Sequence, residues 1–141
     1  MKAIVEKLRI VEQRLSEEKG EFLLFALFLR EDSPEVWDLL VSAPWIESDK
    51  PEALRRIVQS VRREFTDQEM ALLSRVVIIE GDNPALSAVQ SAMHIVHGAA
   101  EVRDSHFFGL QIVHAYIITS QRDAHPVNAA DATTRMTSVV N

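Results

Sequence analysis

The sequence predicts an α+β fold: two layers, with a mixed or mainly antiparallel sheet of four or five strands and flanking helices. Three observations carry that expectation. Two apolar runs, 22–29 and 112–118, are too uniformly apolar to be half-exposed, so each reads as an inner strand covered on both faces. The first helical stretch has a clear apolar stripe. Between them, turn and cap signals alternate with short β-branched runs.

Taken in order, residues 2–18 form a helix with Ile4, Leu8, Val11 and Leu15 on one stripe; Glu6, Lys7, Glu12, Gln13, Glu17 and Glu18 occupy the remainder. The stripe is expected to lie on the sheet; the alternative is a short coiled-coil seam that joins two copies. Residues 21–30 and 35–42 read as a hairpin joined through Glu31-Asp32-Ser33-Pro34. Asp49 and Pro51 open a helix that runs to about Arg63, with Leu54, Ile57, Val58 and Val61 on its apolar face. Thr66-Asp67-Gln68-Glu69 is a capping box leading into a strand at Arg75–Glu80. Gly81-Asp82-Asn83-Pro84 turns the chain into another helix carrying Leu86, Val89, Met93 and Val96, with Gly98 as its stop. Residues 100–105 and 107–120 complete the sheet, the latter broken or bulged near Gly109. Core candidates include Phe25, Leu27, Trp37, Leu39, Val41, Leu54, Val77, Ile79, Val113, Ala115 and Ile117.

The domain organisation expected is one domain over 1–122 and a polar, flexible tail over 123–141. A chain of 141 residues is long enough for a core without staples, and it has no cysteine, so disulfide, thiolate and zinc-finger chemistry are excluded. The longest apolar run falls far short of a membrane span, and no signal-peptide apolar region precedes it, so a cytoplasmic, soluble protein with no membrane partner is expected. The formal net charge of −6 argues against nucleic acid, although Arg55, Arg56, Arg62 and Arg63 gather on one helix.

Two groups of residues are chemically suggestive. All five histidines fall between 94 and 125. His94 and His97, three apart at a predicted helix end, share a face and with His106 (or Asp104 or His114) form a candidate site for a divalent metal. No other cofactor is implied. The second group is ligand or partner candidates: Glu80 and Asp82 at the strand-to-helix turn, Asp38 on the hairpin, and Trp45 beyond it. No nucleophile elbow, phosphate cradle or metalloprotease motif occurs. The expected function is therefore a non-catalytic protein-interaction module, either a homodimer through helix 2–18 or an acidic adaptor or inhibitor of another protein. The alternative is a small metal-dependent hydrolase or metal-binding protein using the histidines of 94–114.

Overall fold

The structure, a computed structural model, describes residues 1–122. Helix α1 (Lys2–Lys19) precedes the hairpin of β1 (Leu24–Arg30) and β2 (Trp37–Ser42). Helices α2 (Pro44–Ser48), α3 (Lys50–Glu64) and α4 (Asp67–Met70) carry the chain to β3 (Leu73–Ile78). Helix α5 (Pro84–Ala92) then leads to the hairpin of β4 (Ala100–Phe107) and β5 (Leu110–Ser120). The five strands form one sheet in the order β3-β2-β1-β5-β4. Among the described residues only β2 and β3 run parallel, three helices intervening between them. The expected α+β class is what is seen. The two apolar runs lie side by side as β1 and β5, the inner strands, with Leu27 opposite Tyr116 and Ala26 opposite Ile117.

Each face of β1 buries a different set of side chains, as the two-residue period requires. Phe25 and Leu27 join Leu39 and Val41 beneath α1 and α3. Leu24, Ala26 and Phe28 join Leu40, Ala115 and Ile117 beneath α5. Phe22, Phe25 and Phe28 are almost wholly buried, and each contributes about 2–3 kcal/mol by leaving water. The α1 stripe of Ile4, Leu8, Val11 and Leu15 belongs to the first core. This corrects the seam alternative: a stripe spent inside the chain is not free to join two copies.

Three irregularities decide which residues face where. Leu29 pairs with His114 but Arg30 with Ile112, so Val113 is an extra residue in β5. The bulge turns Val113 outward to 37 % exposure and hands its core place to Ile112. The expected core position of Val113 is thereby corrected. The break expected near Gly109 is a turn: Phe108 and Gly109 are the two residues that join β4 to β5, both with positive φ, as a type I′ turn demands. A second slip, between Phe25/Thr119 and Ala26/Ile117, makes Ile118 extra and swings Thr119 toward α1. A third, between Trp37/Leu73 and Asp38/Arg75, makes Ser74 extra at the start of β3.

Trp45 lies on α2, a helix absent from the sequence reading. Its ring packs edge-on against Phe22 at 5.6 Å, and its indole N–H donates to the Gly20 carbonyl at 3.0 Å. Both partners belong to the α1–β1 corner, so the local contacts of Trp45 are internal ones. No helix among the described residues is long and apolar enough to cross a membrane. The tail expected over 123–141 lies outside the described residues.

Candidate functional site

The two outer strands differ in how they meet solvent. On β4, Glu101, Arg103 and Asp104 face out, and Asp104 adopts φ 50°, which breaks the flat edge. Charges and kinks of this sort discourage another strand from adding. Strand β3 carries one charge, Arg75, and otherwise reads Leu-Ser-…-Val-Val-Ile. After the bulge at Ser74, Arg75 to Ile78 pair regularly with β2, and among the described residues no strand lies on their other side. The Ile79 N–H donates inward to the Val41 carbonyl at 2.8 Å. By the two-residue alternation, Val77 and Arg75 also point their N–H groups inward, and Val76 and Ile78 point theirs out. Three successive β-branched residues, Val76, Val77 and Ile78, remain only half-buried.

An apolar groove flanks this edge on each face of the sheet. On the α3 side, Val58, Val61, Met70, Leu73 and Val76 line a groove of about 450 Å³. Leu54, expected in the core, is 37 % exposed, one turn before Val58 on α3. On the opposite face, Phe28, Leu40, Val77, Ile79, Phe108 and Leu110 line a groove of about 330 Å³, which Arg30, Asp38 and Arg75 close at one end. Asp38 is 4 % exposed and takes Arg30 Nε at 3.1 Å and Arg75 Nε at 3.4 Å. Such a pair adds little net stability, since desolvation offsets the attraction, but it holds Arg75 against the sheet.

The other ligand candidates stand apart from Asp38. Glu80 lies five residues beyond Arg75, about 16 Å along the strand direction. It pairs with Lys50, whose ammonium that hydrogen bond to Glu80 holds above its ordinary pKa. The Gly81 N–H is taken by Glu47 Oε2 at 2.8 Å, and Asn83 Oδ1 caps the Ala85 N–H at 2.9 Å. These bonds are those of a turn and a helix cap. Asp82 is exposed beside them.

Among the described residues the histidines do not meet in one metal site. Helix α5 stops at Ala92, because Ile95 and Ser120 exchange backbone hydrogen bonds at 3.0 and 2.8 Å and draw the chain into the sheet. His94 and His97 therefore share no helical face, a correction to the expectation. His94 and His106 are exposed, and among the described residues no three His, Asp or Glu side chains are placed to hold one metal ion. His114 stacks on Tyr116 and Trp37, with Nε2 at 2.5 Å from Glu101.

His97 has a different partner, one the sequence reading placed on the outer side of α1. Glu12 is 0 % exposed, and its Oε1 lies 2.7 Å from His97 Nδ1. Its Oε2 accepts from the Thr119 hydroxyl at 2.8 Å and the Ser16 hydroxyl at 3.2 Å. The signal was available: Glu12 is four residues past Leu8 and three before Leu15, on the same face. The chain of groups has the parts of a hydrolytic triad but not its order. The Thr119 proton goes to the carboxylate and not to the imidazole, so no nucleophile is paired with the base. The network ties α1 to β5 and to the 93–98 segment.

No family model, curated protein or solved structure matches this chain.

Proposed function

We propose that the chain is a non-catalytic protein-interaction module, and that it pairs with a second copy of itself along β3. The observation that carries this reading is the contrast between the outer strands: β4 is charged and kinked, whereas β3 offers regular backbone, unpaired among the described residues, between two apolar grooves. An added strand gains main-chain hydrogen bonds and places alternate side chains in the two grooves.

A two-fold axis perpendicular to the sheet keeps like faces together, so one residue of β3 must oppose itself. Arg75 on the axis would set two guanidinium groups against each other. Val76 or Val77 on the axis avoids that clash, setting Arg75 against an apolar residue of the second copy, and either register engages the outward-pointing groups of Val76. The contact is a single short strand and its flanks, which places it among weak, concentration-dependent associations.

Sedimentation velocity across about a hundredfold range of concentration tests this reading. The wild-type chain is expected to move from monomer to dimer. Val76→Pro removes an outward donor while leaving the inward ladder to β2 intact, so the variant is expected to fold and stay monomeric. Dimers that persist in Val76→Pro, or a wild-type monomer at every concentration, would contradict it.

A further inference from the structure

The cleft between α1 and α3, across α3 from the β3 edge, contains buried donors that have no partner among the described residues. Arg14, Arg56, Arg63, Ser60, Gln59 and Glu18 line this small cleft. Ser60 is 5 % exposed, and its hydroxyl has no partner among the described residues. Arg14 Nη1 and Arg56 Nε are likewise buried and unbonded. One orphaned donor on a native helix pair is unusual, because each costs about 1–3 kcal/mol; three around one space call for a shared acceptor.

Charge identifies the acceptor. Arg14 is engaged by Glu64 at 2.6 Å through its other terminal nitrogen, and Arg56 approaches Glu18 only to 4.0 Å. Three guanidinium groups thus face two carboxylates, which leaves one positive charge over. Helical spacing sets the α3 members: Arg56, Ser60 and Arg63 recur at four and three residues, on the side of α3 turned to α1. Planar N–H donors in a fork, with a hydroxyl between, suit a tetrahedral oxyanion.

We infer that this cleft binds a small oxyanion of the phosphate class, through Arg14, Arg56, Arg63 and Ser60. The three orphaned groups are closed to water, so the exposed ends of Arg14 and Arg56 would turn for the anion to accept from them; the bound anion would then tie α1 to α3, and Glu18 at the lip limits the site to a small group.

Thermal melting and calorimetry of the full chain, with inorganic phosphate and with adenosine monophosphate against chloride at equal ionic strength, test the inference. A saturable rise in melting temperature above the chloride baseline is expected with phosphate. A response to phosphate alone marks a free anion as the occupant, and an equal or larger response to the monoester marks an esterified one. Ser60→Ala, which removes only the hydroxyl, is expected to weaken binding about tenfold, and Arg56→Gln at least as much. Arg55→Gln, on the outer side of α3, is expected to change nothing. The inference falls if neither anion exceeds chloride, or if Ser60→Ala binds as the wild type does. Should Arg56→Gln fail to fold, Ser60→Ala decides alone.

Discussion

Glu12 shows how much a single side chain can carry. It supplies both oxygens to three partners that come from three parts of the chain, and none of it reaches water. Glu12→Ala strands the Thr119 hydroxyl and the His97 imidazole and opens a cavity beneath α1. Unfolding in urea is expected to show a loss of about 2–4 kcal/mol, against about 1 kcal/mol for Thr119→Val, which keeps the shape. A loss below about 1 kcal/mol for Glu12→Ala would mean that the network is incidental. His97 holds φ 53° to make its contacts, an uncommon backbone for a non-glycine residue, and the network is the structural reason it does so.

Helix α4 is four residues long and could not persist unaided; its capping box and its tie to α1 hold it. Glu69 Oε1 accepts from Lys7 Nζ at 2.7 Å and from the Thr66 N–H at 2.8 Å. The Lys7 hydrogen bond, then that of the Thr66 backbone, lower the Glu69 pKa from its ordinary value. A carboxyl with a lowered folded pKa stabilises above its unfolded pKa, and that contribution disappears as pH falls through the folded value. Glu69→Gln is therefore expected to be less stable than wild type at neutral pH, with the gap closing under acid. Equal sensitivity of both proteins to acid would contradict this. Most elements were legible in advance for the same local reasons. The capping box, Pro51, Pro84 and the apolar runs are each read from adjacent residues. What was not legible depends on pairing partners. Val113 and Thr119 face the way they do because β5 slips against β1 at two places, and alternation alone puts each on the wrong side. Likewise α5 ends early because Ser120, nearly thirty residues on, competes for the backbone of Ile95.

At the scale of the whole molecule, strand order is the property from which the proposed function grows, and local patterning does not encode it. The run Arg75–Glu80 reads as a strand, but only the order β3-β2-β1-β5-β4 makes it an outer one. Its half-buried valines then acquire a meaning that the same residues would lack in the middle of the sheet. The candidates named from residue type were dispersed by the fold: Asp38 and Glu80 lie toward opposite ends of the parallel pair, and Trp45 closes a corner. The most direct test of self-pairing is amide hydrogen exchange, compared between dilute and concentrated protein. The account predicts that concentration slows exchange at Val76 and Ile78, whose N–H groups point outward, and leaves the β4 edge unchanged. Equal exchange at both concentrations along β3, or protection that appears on β4 instead, would contradict it.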